Sequence, residues 1–340
     1  MLVSFIIPCY NSASTIHHCL DSIYALAIPE SEFEIIIVDD GSTDETGEIV
    51  KEYGRGHDNL KQIRHLVNRN LGAARNTGLA AAKGNYIAFV DSDDEVVSGM
   101  AQALNLTKNR GLDMVAMCLE IQEGSSIQTL SLPYSPEQVF TGVQLLEEYP
   151  FWSVSVWSYL FAKELIDRVH YPFVEGAYFE DVDFVFKHLF YAERISYCAN
   201  CGYRFYSNPS SITHTFSPKH TFGFAYLGIR VLSLFNNLSD KRVMFARSLM
   251  EYGKTKLDYT FRQLLRLGSF DRVNAFYNLF DSKVNRRSLL RMGDKEAVIK
   301  WSFQSRFWLR YRFLTAVLSG IVGTRRVFRF KRGNCRDMTD

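Results

Sequence analysis

The sequence predicts an α/β protein with a mainly parallel sheet flanked by helices and with a helical C-terminal extension. Three short apolar runs alternate with stretches of helical periodicity, which is typical of parallel sheets covered on both faces. Beyond about residue 221, apolar residues recur at helical spacing with Arg and Lys between them. The chain of 340 residues, 47% of them hydrophobic, is long enough to bury a sizeable core.

The elements of the first hundred residues follow from this alternation. Three β-rich apolar runs are the predicted strands: residues 3–7, 34–38 and 86–90. A helix is expected over 16–23, a second is expected to begin at a capping box formed by Ser42 and Glu45, and a third should end within 78–82. Each strand ends in polar or acidic residues. Because ligands bind beyond the carboxyl ends of parallel strands, the chemistry should lie at one edge of the sheet.

Three regions result. Residues 1–100 carry the predicted strands, 101–215 continue the same domain as a mixed, aromatic-rich α+β segment, and 216–340 form a helical, basic region.

The composition excludes several classes of protein. The net charge of +2 argues against a nucleic-acid binder. Of the six cysteines only Cys198 and Cys201 form a CxxC pair, which lacks the further ligands of a zinc site and suggests reduced thiols in the cytoplasm. No basic segment precedes the first apolar run, and no apolar run reaches the ~20 residues of a membrane span.

The strongest chemical signal is Asp91-Ser92-Asp93, directly after the third strand. Carboxylates separated by one residue on extended backbone point the same way and repel each other unless a cation lies beside them. Hard divalent cations prefer oxygen ligands, and Mg²⁺ is usually held by one or two carboxylates plus substrate phosphates. The pattern predicts a metal-bound diphosphate; the alternative is an acidic turn or helix cap.

Two further segments fit the same edge. In Asp39-Asp40-Gly41-Ser42 one carboxylate could accept a hydrogen bond from a nucleobase or a ribose, or the acids could simply start a helix. Arg75, among small residues, could bind phosphate in a fork or pair with an acid of the sheet edge.

The acidic pair Glu180-Asp181 is framed by aromatic residues. A solvated helix start is the ordinary interpretation of such a pair. Partial desolvation between aromatic side chains would instead make one carboxylate basic enough to accept a proton.

Five segments, in this order, resemble family 2 of the inverting glycosyltransferases, which have the GT-A fold with its Rossmann-like sheet. They are Val3–Asn11, Ile37–Asp44, Ala73–Gly78, Gly84–Asp94 and Phe179–Asp181. The likeness covers about the first 215 residues and leaves the tail unexplained.

The resemblance implies roles for single residues. The expected donor-binding residues are Pro8, Tyr10, Asn11, Asp39, Asp40, Arg75, Asp91 and Ser92. The expected ligands of Mn²⁺ or Mg²⁺ are Asp93, Asp91 and His214. Asp40 would bind the base, expected to be uracil, Asp181 would be the catalytic base with Glu180 beside it, and Trp157 would lie near the acceptor. Asn70 stands where relatives often carry Gly, and only a small effect is expected because Asn tolerates left-handed backbone.

The implied reaction is inverting transfer of a hexosyl or N-acetylhexosaminyl group from a UDP-sugar to a hydroxyl of a saccharide, in a lipid-linked cell-surface polysaccharide. A single displacement through an oxocarbenium-like transition state needs no protein nucleophile. Processive synthases of the family carry membrane spans and a QxxRW motif; residues 263–267 lack its Trp, so addition of one or a few sugars is expected.

The segment 301–332 interleaves aromatic and basic residues. It predicts peripheral contact with the inner face of the cell membrane, with a helical subdomain carrying snorkelling arginines as the alternative.

Two other functions remain open. A sugar nucleotidyltransferase usually carries a Gly-rich loop with Arg and Lys after the first strand, where this chain has Pro8–Ser12. A non-catalytic nucleotide-sugar-binding protein could keep the fold, but intact Asp91, Asp93 and Asp181 argue against it. A dinucleotide oxidoreductase would need a GxGxxG after a strand, which the sequence lacks.

Overall fold

The computed structural model describes residues 1–149 and 154–207. The strands are β1 (Val3–Cys9), β2 (Phe33–Asp39), β3 (Leu60–Arg64), β4 (Tyr86–Phe89), β5 (Glu95–Val96), β6 (Met114–Glu123), β7 (Ser126–Leu130), β8 (Tyr159–Ala162) and β9 (Ile195–Tyr206). The α-helices are α1 (Ile16–Tyr24), α2 (Thr46–Tyr53), α3 (Leu71–Ala81), α4 (Gly99–Thr107), α5 (Gly142–Glu148), α6 (Lys163–Val169) and α7 (Glu180–Tyr191).

The strands form one sheet in the order β3-β2-β1-β4-β8-β6-β9-β5, with β7 paired to β6. The first four strands are parallel, so their carboxyl ends meet at one edge. Strand β8 lies antiparallel between β4 and β6, while β9 runs parallel to β6. The prediction of a helix-flanked, mainly parallel sheet is confirmed for the first hundred residues, and the α+β character of the next hundred is confirmed as well.

Strands β1 and β2 are buried along their whole length, as expected for strands covered on both faces. Helix α3 lies against β1 so closely that a Cβ on Gly78 would come within 2.3 Å of Ile6 Cγ2. This glycine allows α3 to carry its polar residues right up to the sheet edge. In the described part of the chain every cysteine is a free thiol.

The predicted strands and the end of α3 at Ala81 agree with the structure, but the capping box is wrong. Helix α2 begins at Thr46, and its N-cap residue Glu45 makes no capping hydrogen bond through its side chain. The Thr46 backbone N–H donates instead to Asp44 Oδ1 (3.1 Å). The Ser42 backbone N–H donates to Asp39 Oδ1 (2.8 Å), and its hydroxyl accepts the backbone N–H of Asn11 (3.0 Å). The turn therefore winds round the Asp39 carboxylate, and Ser42 joins two loops instead of starting the helix.

The predicted helices after residue 221, residues 263–267 and the basic segment 301–332 lie outside the described residues. Over 1–149 and 154–207, the helices are all too short or too polar to cross a bilayer.

Candidate active site

The loops that follow β1, β2 and β4 are hydrogen bonded to one another. Asn11 Oδ1 accepts the backbone N–H of Thr43 (2.8 Å), which joins the first two loops. The hydroxyls of Ser12 and Ser92 lie 2.7 Å apart, which joins the first loop to the acidic segment after β4. The polar strand ends thus meet at one edge, as predicted from the parallel order of the strands.

Asp39 lies inside this edge, with no exposed surface. Its Oδ1 accepts the Ser42 N–H, and its Oδ2 lies 3.4 Å from Arg64 Nε. These contacts explain the tight turn at Gly41, whose φ of +78° suits glycine. In this arrangement Asp39 supports the loop, and donor binding by its side chain stays a prediction.

The carboxylate of Asp40 is 3% exposed and holds the loop that leads into α3. The Arg69 backbone N–H lies 2.9 Å and 3.0 Å from its two oxygens. His65 Nδ1 donates to Asp40 Oδ1 (2.6 Å), and the other ring nitrogen lies 2.9 Å from Thr77 Oγ1. Asp40 is therefore fixed in orientation by a histidine, and it keeps lone pairs that could accept one more hydrogen bond.

Residues at the end of β1 differ in their access to solvent. Pro8 is buried within the strand, whereas Tyr10 is 48% exposed and Asn11 adopts left-handed backbone (φ 51°). Tyr10 is thus available to contact a ligand at this edge.

The acidic segment after β4 carries more negative charge than its surroundings balance. Asp91 is half-buried, Asp93 reaches solvent, and Asp94 is buried. Crowding by surrounding protein together with Asp91 raises the pKa of Asp93, and burial together with Asp91 and Asp93 raises the pKa of Asp94. Carboxylates that resist ionisation in this way favour a cation beside them.

These acids fit a divalent cation only as part of its ligand set. Among the described residues the Asp93 carboxylate has no hydrogen-bond partner on another residue, and one Asp91 oxygen remains beside the one that accepts from Arg75. Within 1–149 and 154–207 no three His, Cys, Asp or Glu side chains are placed to hold a metal together. The donor set therefore suits an ion that takes its remaining ligands from a diphosphate. The predicted ligand His214 lies outside the described residues.

Arg75 joins the acidic segment to a distant helix. Its Nη2 donates to Asp91 Oδ1 (2.8 Å), and its Nη1 pairs with Glu180 Oε1 at the start of α7. The side chain is 3% exposed, stands over the ring of Phe173 and, among the described residues, leaves its buried Nε–H without an acceptor. The structure thus has Arg75 paired with an acid of the sheet edge, the second of the two possibilities that its sequence context allowed.

Helix α7 begins directly with the two predicted catalytic acids. Phe179, the residue before it, has left-handed backbone (φ 58°, ψ 38°), which a bulky residue rarely adopts. Glu180 is buried against Arg75, whereas Asp181 is half-buried and pairs with no other described side chain. Burial and the neighbouring Glu180 raise the pKa of Asp181 to about 7, against the opposing effect of Arg75.

The loop before α7 is held by α3. The side-chain amide of Asn76 accepts the Phe173 N–H (2.9 Å) and donates to the Phe173 carbonyl (3.0 Å). Gly72 lies so close that a Cβ would be 2.6 Å from the Val174 carbonyl oxygen. The small residues that the sequence shows around Arg75 therefore allow contact with this loop.

An aromatic stack connects Trp157 to the acidic segment. Its ring is nearly parallel to those of Tyr203 (4.8 Å, 8°) and Phe205 (5.7 Å, 8°), and the indole is half-buried. The Tyr203 hydroxyl donates to Asp94 Oδ2 (2.7 Å). The structure thus connects Trp157 to the predicted donor side of the site.

Two residues of this site, His65 and Tyr203, were not predicted from the sequence. Each is a buried polar side chain whose partner is an acid from a distant part of the chain. The sequence carried no signal for either residue, because β3, the strand that His65 follows, has no continuous apolar run.

Comparison with known proteins finds similarity to glycosyltransferases. Residues 4–126 match the model of the family described as Glycosyl transferase family 2. EpsJ of Bacillus subtilis (strain 168), described as an uncharacterized glycosyltransferase, is 36% identical over 222 residues, which are 62% of this chain and 63% of EpsJ. The poly(ribitol-phosphate) beta-glucosyltransferase of Bacillus spizizenii is 40% identical over 116 residues, which are 34% of this chain and 18% of that protein. This chain thus spans less than two thirds of the length of these relatives.

Solved structures share the fold. TarS 1-349 of S. aureus in complex with UDP has a TM-score of 0.55 and 25% identity, covering 81% of this chain and 74% of that one. Its complex with UDP-GlcNAc has a TM-score of 0.61 and 21% identity, covering 85% and 83%. These similarities confirm the predicted GT-A type of fold, whereas the predicted helical C-terminal extension lies outside the described residues.

Proposed function

We propose that this chain, whose residues 4–126 match the model of Glycosyl transferase family 2, transfers a sugar with inversion from a nucleotide-diphosphate donor to an acceptor hydroxyl. One observation carries the proposal: Arg75 binds Asp91 at the end of β4 and Glu180 at the start of α7. A single guanidinium group therefore binds both Asp91, on the proposed donor side, and Glu180, the residue next to the proposed base Asp181.

The donor is proposed to be a UDP-sugar. TarS, 25% identical, was crystallised with UDP, which supports uracil as the base. The half-exposed ring of Tyr10 would lie against the nucleoside. Asp40, held by His65, would accept the N–H of the base with the lone pairs that its protein contacts leave over.

The diphosphate is proposed to lie at the acidic segment with Mn²⁺ or Mg²⁺ held by Asp93 and Asp91. When bound, the cation would neutralise the charge that develops on the leaving diphosphate. Ser92 would be fixed at this position by its contact with Ser12 (2.7 Å between the hydroxyls). Arg75 would hold one Asp91 oxygen and leave the other facing the ligand.

Asp181 is proposed to remove the proton of the acceptor hydroxyl. A general base works best when its pKa lies near the working pH, and burial raises the pKa of Asp181 to about 7. Glu180 is unsuited to this step because its carboxylate is buried in an ion pair with Arg75. Its proposed role is to fix the first turn of α7, so that Asp181 faces the acceptor.

Inversion follows from a single displacement. The acceptor oxygen forms its bond to the anomeric carbon on the face opposite the leaving diphosphate, and Asp181 takes the proton as that bond forms. The charge of an oxocarbenium-like transition state would be balanced by the nearby carboxylates.

The acceptor is proposed to be a saccharide of a cell-surface polymer, carried on a lipid at the cytoplasmic face of the membrane. The name of the Bacillus spizizenii relative, a poly(ribitol-phosphate) beta-glucosyltransferase, supports a polymer of this kind. Trp157 offers a flat, half-buried indole face beside the acidic segment, which suits the apolar face of a sugar ring. The basic segment 301–332 would contact the anionic membrane, which sedimentation with anionic liposomes at low and high salt tests.

Turnover of nucleotide sugars tests the proposed reaction. Release of nucleotide from UDP-Glc, UDP-Gal, UDP-GlcNAc and GDP-Man is measured with polysaccharide and lipid-linked acceptor fractions, for wild type, Asp181→Asn and Asp167→Asn. Asp167 is an exposed acid of α6 paired with Lys163, so it is the matched control. Acceptor-dependent release that survives in Asp167→Asn and is lost in Asp181→Asn supports the proposal. Full transfer by Asp181→Asn would remove Asp181 from the role of base.

A further inference from the structure

Tyr203 lies at the junction of the donor side and the acceptor side of the site. It is on β9, its side chain has no exposed surface, and its hydroxyl makes two hydrogen bonds. The hydroxyl donates to Asp94 Oδ2 (2.7 Å) and accepts the backbone N–H of Asp91 (3.1 Å). One side-chain atom therefore binds both ends of the acidic segment 91–94.

The same strand fixes the acidic segment at a second point. The backbone N–H of Tyr206 donates to the other oxygen of Asp94 (2.8 Å). Asp94 thus has its carboxylate satisfied by β9 and faces away from solvent, while Asp93 reaches solvent. A buried carboxylate with this set of partners sets the conformation of its neighbours instead of binding a ligand.

The ring of Tyr203 connects the acidic segment to Trp157. It lies parallel to the ring of Trp157, with the centroids 4.8 Å apart, and its movement would require Trp157 to move as well. The acidic segment, Tyr203 and Trp157 therefore form one continuous packed unit across the site.

We infer that Tyr203 is a positioning residue, which holds the acidic segment in its donor-binding conformation and joins it to the acceptor-side Trp157. The inference rests on the proposed function, because it assumes that Asp91 and Asp93 meet a nucleotide diphosphate. Its consequence is that loss of one hydroxyl, which touches no substrate, weakens donor binding.

Titration calorimetry with UDP, in the presence and absence of Mn²⁺, tests the inference on the full chain. The variant Tyr203→Phe removes the hydroxyl and keeps the stack with Trp157. The matched control is Tyr197→Phe on the same strand, because the Tyr197 hydroxyl is also buried and accepts the backbone N–H of Leu132 (2.9 Å), away from the acidic segment. Thermal unfolding of both variants reports the purely structural cost of losing a buried hydroxyl.

The expected result is UDP binding in Mn²⁺ that is weaker by about tenfold in Tyr203→Phe and unchanged in Tyr197→Phe, with similar losses of thermal stability in the two. Equal UDP affinity in the two variants, with normal binding by wild type, would overturn this inference alone. Absence of UDP binding by folded wild type would overturn the proposed function and this inference with it.

A second pair of variants covers the case in which Tyr203→Phe does not fold. Asp94→Asn keeps an oxygen that can accept the Tyr203 hydroxyl, whereas Asp94→Ala does not. UDP affinity near that of wild type in Asp94→Asn and about tenfold weaker in Asp94→Ala would support the inference. Equal loss in both would contradict it, because Asp94 would then act through its charge and not through Tyr203.

Discussion

Arg75 and Glu180 are 105 residues apart in the sequence, yet their side chains form an ion pair that is almost completely buried where α3 meets the first turn of α7. The same guanidinium group binds Asp91 at the carboxyl end of β4. Three elements that carry proposed donor-side and acceptor-side residues are thereby fixed to each other through one side chain.

Replacement of Arg75 tests this connection. Removing one partner of a buried ion pair leaves an uncompensated charge and typically costs about 3–5 kcal/mol, so Arg75→Ala should be strongly destabilised. Arg75→Lys keeps the charge but cannot bind both carboxylates through a fork, and kcat/KM should fall by about tenfold or more with a smaller loss of stability. Steady-state kinetics and urea unfolding separate the two effects.

The control for that experiment is Arg204→Lys. Arg204 also binds two carboxylates, those of Glu95 and Glu120, but it lies on β9 and pairs with neither Glu180 nor the proposed base Asp181. Rescue of Arg75→Ala by added guanidinium ion is expected as well. Activity of Arg75→Lys equal to that of Arg204→Lys would contradict a role for Arg75 at the site.

The pH dependence of transfer should report Asp181. Because its pKa is raised to about 7 and the base must be ionised, kcat/KM should rise with pH and level off above about 8. Arg75 opposes this shift, so removing its charge in Arg75→Gln should move the rising limb to higher pH by about one unit. A profile flat from pH 5 to pH 9 in wild type would count against Asp181 as the base.

The stability of Asp181→Asn should depend on pH in a defined sense. A carboxyl whose pKa is raised in the folded state binds its proton more tightly there than in the unfolded chain, so the wild type loses stability as the pH rises through the range between about 4 and 7. Asn removes this loss. The thermal midpoint of Asp181→Asn should therefore exceed that of wild type by a few degrees at pH 8 and by less at pH 4.5, whereas Asp167→Asn should show no such difference.

His65 should influence donor binding through Asp40. His65→Leu removes the hydrogen bonds to Asp40 and Thr77, and UDP binding should weaken by about tenfold with little change in kcat. His65→Asn keeps an N–H donor in the position of Nδ1 and should lose less affinity. Equal affinities for the two variants would show that Asp40 needs no orientation by residue 65.

Asn70, which stands directly before α3, has a positive backbone φ. Left-handed backbone was expected to be tolerated there, and the structure gives Asn70 a φ of 72° and a ψ of 164°, a region used almost only by glycine. Asn70→Gly should raise the free energy of unfolding by about 1 kcal/mol, and Asn70→Ala should lower it. Urea unfolding of both variants provides the measurement, and a loss of stability in Asn70→Gly would show that the side chain of Asn70 offsets the strain.

Local patterns were enough to predict β1, β2, β4 and the meeting of their polar ends. The fully buried strands read as near-continuous apolar runs, and parallel order then places Asp40 and Asp91 at one edge. Strand β3 was not predicted, because its residues are half-buried or exposed and carry no continuous apolar signal. Contacts over long sequence distances were not predictable either: no local pattern indicates that Arg75 meets Glu180, or that Tyr203 meets Asp94.

The proposed binding of a nucleotide diphosphate through Asp93 and a divalent cation is tested most directly by titration calorimetry of UDP into wild type, Asp93→Ala and Asp58→Ala, with and without Mn²⁺. Asp58 is an exposed aspartate with no role at the proposed site and serves as the control. Wild type and Asp58→Ala should bind UDP in a Mn²⁺-dependent manner, and Asp93→Ala should lose this binding. Folded wild type that binds no UDP, or Asp93→Ala that binds UDP as wild type does, would contradict the proposal.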